Sequence, residues 1–188
     1  MGISASLEIY LLVNYHFTFD KFEKNNDRIY RVVSDFSFSG ESYHNSGVAS
    51  PLPDAMRKEI TGIETVVPFR TVDEGAKVTV PAADKMEPVV FKKQSEIVFA
   101  DERFFNLIGY EWLAGSAKTA LLQPYQTVLT ESNAKLYFPS LSAAQVIGKE
   151  IYFNDTVRAT ITGVVKDITY NTDFTFKTFV SRATMQQT

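Results

Sequence analysis

The sequence feature that most constrains the fold is a nine-residue segment, 157–165, in which apolar and polar side chains largely alternate. Alternation with a period of two is typical of a β-strand with one buried face. The residues predicted to point inward are Val157, Ala159, Ile161 and Val165. The pair Asn154-Asp155 favours a tight turn just before this strand, and residues 150–153 form another predicted strand before the turn. The segment therefore predicts a strand–turn–strand unit on a buried sheet.

The remaining strand predictions are short apolar runs bounded by turn residues. They cover residues 28–38, 43–48, 63–70, 77–80, 88–92, 95–100, 127–130 and 174–180. Three helices are marked by capping residues: Ser50 before Pro51, Asp101 before residues 102–108, and Thr130 before residues 131–138. This order of strand–helix–strand units and hairpins predicts an α+β fold with a mixed or antiparallel sheet, rather than a doubly wound parallel sheet.

The chain is long enough for a core of its own. Its length of 188 residues predicts one domain. Within that domain, the hairpin-rich stretch 71–101 is expected to form a small second lobe. The polar residues 184–188 are expected to fray. An apolar fraction of 45% with 22% charged residues excludes a disordered chain.

Charge and composition also exclude several classes of function. A net charge of -3 excludes the basic surface of a typical nucleic-acid-binding protein. The chain has no cysteine, which excludes disulfides, thiolate metal sites and cysteine nucleophiles. It contains no phosphate-binding glycine loop, nucleophile elbow or zinc-protease motif. No cofactor is therefore predicted, and the chain is not expected to be an enzyme.

Residues 7–17 form an apolar stretch with tyrosine and histidine at its far end. This composition suits the interfacial end of a membrane helix, where aromatic side chains meet lipid headgroups. From composition alone, an ordinary buried helix or strand is the preferred interpretation. No run of 18 apolar residues occurs, so the sequence as given contains no complete span.

Four titratable residues are the candidates for chemistry. His16 and His44 are 28 positions apart without cysteine nearby, so a zinc site would need carboxylate ligands; exposed or hydrogen-bonded histidines are the preferred interpretation. Asp20 and Glu23 have the spacing of a carboxylate pair, but lysines alternate with them, as on a solvated helix face. Catalytic, metal and cofactor residues are therefore predicted to be absent, and residues that bind a substrate are unknown.

Seven segments, in order, resemble the MacB-like periplasmic core domain of MacB/FtsX-type ABC transporter permeases. The clearest read FDKFEKNNDRIYRV and VLTESNAKLYF. The segments are residues 19–32, 51–56, 98–105, 113–121, 128–138, 147–149 and 161–167. Together they span about residues 19 to 179, although Asn25-Asn26 stands where the family often has Asn-Ala. No catalytic residue carries over from this family.

The resemblance implies a position between the first two membrane helices of a permease in the bacterial inner membrane. Residues 1–18 would be the end of the first transmembrane helix or a leader segment, and residues 19–188 the periplasmic domain, truncated at its C-terminal end. The implied partners are a cytoplasmic ABC ATPase, a second permease subunit in a homo- or heterodimer, and a periplasmic partner or exported substrate. The implied function is to couple ATP hydrolysis to export or to mechanotransmission.

Two alternatives from other classes remain open. A free-standing periplasmic ligand-binding or sensor domain would need a single deep pocket with convergent polar groups. An extracytoplasmic hydrolase would depend on Asp20 or Glu23.

Overall fold

A computed structural model describes residues 2–21, 26–72, 74–82 and 87–186. The chain divides into two compact units, Met1–Val66 and Val67–Thr188. The boundary lies before the hairpin-rich stretch 71–101, so the prediction that this stretch is a second lobe is wrong. Its strands all belong to the sheet of the second unit.

The first unit begins with helix α1, Gly2–His16, followed by a 3-10 turn at Asn26–Arg28. Strands β1, Ser34–Phe38, and β2, Glu41–Asn45, then form an antiparallel hairpin. The predicted strand 28–38 is regular only in its second half, where it pairs with β2.

Helix α2, Leu52–Glu59, completes the first unit. The prediction that Ser50 caps it is wrong. Pro51 occupies the N-cap position with helical backbone angles, and no side chain caps the helix.

The second unit is built on one nine-stranded sheet. Its strands are β3, Arg70–Thr71; β4, Ala76–Val80; β5, Val89–Gln94; β6, Ile97–Ala100; β7, Trp112–Ala114; β8, Gln126–Thr130; β9, Glu150–Phe153; β10, Val157–Val165; and β11, Thr178–Ser181. They lie in the order β3-β6-β11-β8-β10-β9-β4-β5, and β7 pairs with β10. Pairs β6–β11 and β8–β10 are parallel and the others antiparallel, so the predicted mixed sheet is confirmed.

Three short helices connect these strands: α3, Glu102–Leu107; α4, Glu131–Tyr137; and α5, Ala143–Val146. Two predicted caps are confirmed. The Asp101 side chain accepts a hydrogen bond from the backbone of Arg103 at 3.1 Å, and Thr130 accepts one from the backbone of Asn133 at 3.5 Å. Local sequence alone therefore sets where α3 and α4 begin.

At the centre of the sheet, in β6, β8 and β11, both faces are covered. Phe179 and Val180 are adjacent in β11 and both fully buried, so successive side chains enter opposite layers. One layer is aliphatic and includes Val78, Leu129, Ile151 and Ile161. The other layer is aromatic, with the ring of Phe179 packed 4.9 Å from that of Phe105 and 5.6 Å from that of Phe104.

Of the four β10 side chains predicted to point inward, Ala159, Ile161 and Val165 are fully buried and Val157 is half-buried. The predicted alternation itself holds only as far as Ile161. A register shift between Ile161 and Gly163 breaks the alternation, so Val164 is buried as well. This irregularity depends on the neighbouring strands and could not be read from the period of two.

Three further predictions differ from the structure. Residues 174–177 are irregular, and the strand begins only at Thr178, while the predicted strand 63–70 is regular only at its last residue. Of the residues 184–188 that are predicted to fray, 184–186 belong to a 3-10 helix, Arg182–Gln186, and 187 and 188 lie outside the described residues. Thr184 is buried there and accepts a hydrogen bond from the backbone of Tyr125 at 2.8 Å, which holds this segment to the unit.

Candidate functional site

The two histidines lie on different elements of the first unit. His16 is the last residue of α1, and its ring lies 5.9 Å from Tyr15 and 6.3 Å from Phe19. His44 lies on β2, with Nδ1 2.7 Å from a carboxylate oxygen of Asp35, and both side chains are exposed. Across the described ranges, no group of three or more histidine and acidic residues is placed to hold a metal ion.

Asp20 follows α1 in a turn, with a left-handed backbone (φ 54°). Glu23 lies outside the described residues, so the prediction that Asp20 and Glu23 belong to a solvated face stays a prediction. Asp20 lines neither of the two cavities described below.

An open groove of about 470 Å³ lies beside β9 and β10 in the second unit. Its polar lining includes Glu150 and Arg158, which form an ion pair across the two strands, together with Tyr125. Hydrogen bonding to Glu150 raises the pKa of the Arg158 guanidinium above its usual value, so this pair stays charged. The arrangement is a solvated cross-strand pair and has the character of a surface groove.

A smaller cavity of about 250 Å³ lies beneath the irregular connection between β10 and β11, residues 166–177. Most of its lining comes from this connection, here called the β10–β11 loop. Glu96 and Thr130 close the opposite side. Asp167 is held at the base of the loop, because it accepts hydrogen bonds from the backbone and the hydroxyl of Ser132 at 2.8 and 2.5 Å.

Tyr110 is buried in the aromatic layer, and its hydroxyl has no hydrogen-bond partner among the described residues. Burial, and next the negative charge of Asp167, raise the pKa of this phenol well above its usual value. An unpaired buried hydroxyl costs free energy that the surrounding packing must offset.

Sequence reasoning missed this cavity because it assigned residues 174–180 to a strand. The polar run Asp167–Asp173, written ITYNT between its two aspartates, was the available signal. Such a stretch between two buried strands is typical of a long surface loop, and loops of this length often carry function.

The exposed surface of α1 is a further notable feature. Its apolar side chains include five consecutive residues, Ile9 to Val13, that are 43–64% exposed. At 100° per residue, five consecutive positions cover the whole circumference of a helix. Within the described part of the chain, no helix is both long and apolar enough to cross a membrane.

Comparison with known proteins identifies the fold. A domain assigned to a permease from Porphyromonas gingivalis is 21% identical to this chain, with a TM-score of 0.58, over 76% of this chain and 56% of that one. The periplasmic region of MacB from Actinobacillus actinomycetemcomitans is 17% identical, with a TM-score of 0.53, over 72% of this chain and 56% of that one. The chain thus spans little more than half of either structure, and at these identities the likeness concerns the fold alone.

Among curated proteins, none matches the chain. The sequence does match the family described as MacB-like periplasmic core domain, over residues 1–188. The predicted α+β class is confirmed by the mixed sheet and by its likeness to the MacB periplasmic region. The chain therefore belongs to the family of MacB-like periplasmic core domains, the extracytoplasmic domains of ABC transporter permeases.

Proposed function

We propose that this domain couples ATP hydrolysis by a cytoplasmic ABC ATPase to the handling of a substrate or partner protein in the periplasm, and that it catalyses no reaction itself. Family membership supports the extracytoplasmic placement. The inner membrane, the ATPase and the pairing of two permease subunits belong to the proposal. The observation that carries it is the exposed, apolar helix α1.

Helix α1 needs an apolar environment. Burying a large aliphatic side chain stabilises a protein by about 1.5–3 kcal/mol, and α1 leaves several such side chains in water. A helix that is apolar on all sides belongs in a core or in a membrane. We therefore assign residues 1–18 to the periplasmic end of a transmembrane helix, which would link membrane movements to the domain.

The second unit has the construction of a rigid body. The central strands of the sheet are covered on both faces. The two parallel pairs, β6 with β11 and β8 with β10, hold distant parts of the chain together. Close-packed protein interiors transmit strain rather than absorb it. This construction supports a mechanical role, in which the work is supplied by an ATPase elsewhere.

The placement can be tested by thiol labelling, because residues 1–188 contain no native cysteine. Asp173→Cys, at an exposed position of the β10–β11 loop, is introduced into a cysteine-free version of the full-length permease. We expect a membrane-impermeant maleimide to label it in cells whose outer membrane alone has been permeabilised. Leu7→Cys should react only after the membrane is dissolved. Labelling of Asp173→Cys only after lysis would contradict the periplasmic placement.

The coupling requires a second measurement. Spin labels on Asp173→Cys in both subunits of the assembled transporter should report different distance distributions with ATP and with ADP. An ATPase variant that binds but does not hydrolyse ATP should remain in the ATP-bound distribution. Identical distance distributions in all nucleotide states would contradict the mechanical role, because a coupling element must change conformation or position between the two states.

A further inference from the structure

We propose that the cavity beneath the β10–β11 loop binds an organic cation, a primary ammonium or guanidinium group on a short apolar stem. The inference goes beyond the proposed coupling role, because it requires only the folded second unit. Charge, aromatic lining and size each support it.

The lining of the cavity carries a net negative charge. It contains the carboxylates of Glu96 and Asp167 and the ammonium of Lys177. Lys177 is paired with Glu96 at 2.7 Å, so the ammonium group is already neutralised. One carboxylate charge remains, on Asp167.

Asp167 accepts hydrogen bonds, but among the described residues no cationic side chain lies within ion-pair distance of its carboxylate. Both of its oxygens accept from Ser132, and the ammonium of the adjacent Lys166 pairs with Glu111 at 3.1 Å instead. After burial, the charge of Asp167 is the second cause of the raised pKa of the Tyr110 phenol.

Aromatic rings form the wall next to these charges. Phe174 and Phe176 are half-buried, with ring centroids 6.3 Å apart and planes at 64°. Each packs 6.1 Å from the buried ring of Phe104, which holds it in place. Tyr170 stands 67% exposed among the loop residues that line the cavity. A cation within about 6 Å of a ring face is attracted by the π-electrons, and a nearby carboxylate adds to this attraction.

Size restricts the ligand further. Sites for drug-sized ligands occupy roughly 300–1,000 Å³, whereas this cavity measures about 250 Å³. It can accept one cationic group and its stem, on the scale of a lysine or arginine side chain. A free amine and a basic side chain of a protein present the same chemistry, and the experiment separates them.

The test is a titration of the ¹⁵N-labelled 188-residue chain in a non-ionic detergent, followed by backbone chemical shifts. We expect n-butylammonium and agmatine to shift the amides of residues 167–177 saturably, and butyrate to leave them unchanged. A capped peptide Gly-Gly-Lys-Gly-Gly and its Gln counterpart form the second arm. Shifts with the Lys peptide would point to a protein side chain, and shifts with the free amines alone to a small molecule.

Variants locate the site. Asp167→Asn keeps an oxygen for Ser132 but removes the charge, and should weaken binding of n-butylammonium about tenfold or more. Asp173→Asn removes the same charge from the same loop outside the cavity lining and should leave affinity unchanged. Tyr170→Ala alters an exposed side chain, so it tests the aromatic wall without endangering the fold, and should also weaken binding.

If Asp167→Asn and Asp173→Asn weaken the binding of n-butylammonium equally, the proposed site is wrong and the cation is attracted by the overall negative charge of the loop. Equal shifts with butyrate, or no saturable shift with either amine, would overturn the proposed site as well. If Asp167→Asn disturbs α4, as judged by the amides of residues 131–137, Tyr170→Ala decides: unchanged affinity in that variant contradicts the proposal.

Discussion

Tyr137 shows at the scale of one residue how burial links stability to pH. Its side chain is buried against the ring of Phe91, and its hydroxyl donates a hydrogen bond to Gln94 at 3.2 Å. Burial raises the pKa of Tyr137 to about 12, and a hydrogen bond with Thr178 opposes the shift. The neutral phenol is therefore favoured in the folded state.

This shift predicts a loss of stability at alkaline pH. Below the ordinary tyrosine pKa of 10.0, burial of the neutral Tyr137 phenol contributes fully to the free energy of unfolding. As pH rises towards about 12, Tyr137 ionises first in the unfolded chain, and the free energy of unfolding falls. We expect Tyr137→Phe to reduce the alkaline decline in unfolding free energy by roughly 2 kcal/mol, measured by denaturant unfolding across this range. Tyr170→Phe, at an exposed tyrosine, is the control. Parallel pH profiles of Tyr137→Phe and the unchanged protein would refute the prediction.

At the scale of the element, β10 depends on a glycine where three strands meet. A Cβ built on Gly163 would lie 2.4 Å from the ring of Trp112 in β7 and 3.2 Å from the side chain of Val128 in β8. The missing side chain thus allows the aromatic layer to pack directly onto the strand. The sequence shows a glycine within the predicted strand 157–165, but not which ring approaches it.

Gly163→Ala should therefore destabilise the second unit by about 1–3 kcal/mol through overpacking, measured as the change in unfolding free energy. Gly47→Ala is the matched control, because its nearest neighbour lies at an ordinary 3.6 Å. In the double variant with Trp112→Phe, the smaller ring should recover part of the loss. Strict additivity of the two substitutions would show that this contact is not the cause.

At the scale of the whole molecule, the second unit contains its own sheet and both of its packed layers. We expect a chain of residues 67–188 to fold alone and to unfold cooperatively in denaturant. Its near-ultraviolet circular dichroism should retain the signal of the aromatic layer, since Phe104, Phe105, Tyr110 and Phe179 all lie in this unit. A featureless near-ultraviolet spectrum would contradict the autonomy of the unit.

Sequence predictions succeeded where the signal is local. Residues within a short distance along the chain decide the caps Asp101 and Thr130. The same holds for the turn at Asn154-Asp155, where both residues have a left-handed backbone. The strand predictions failed where pairing with distant strands decides whether a strand forms. Residues 63–70 and 174–177 have a strand-like composition but few strand partners. The candidate histidines and carboxylates were visible in the sequence, whereas the cavity depends on a loop whose course the sequence did not reveal.

The sequence by itself determined the α+β class, the family and the apolar character of α1, because periodicity, caps and hydropathy act over a few residues. Only the tertiary structure decided the strand order, the division at Val66 and Val67, and the meeting of Asp167 with Phe174 and Phe176 beneath one loop. The physical reason is that strand pairing and cavity formation join residues far apart in the chain, and no local pattern specifies which distant partners meet.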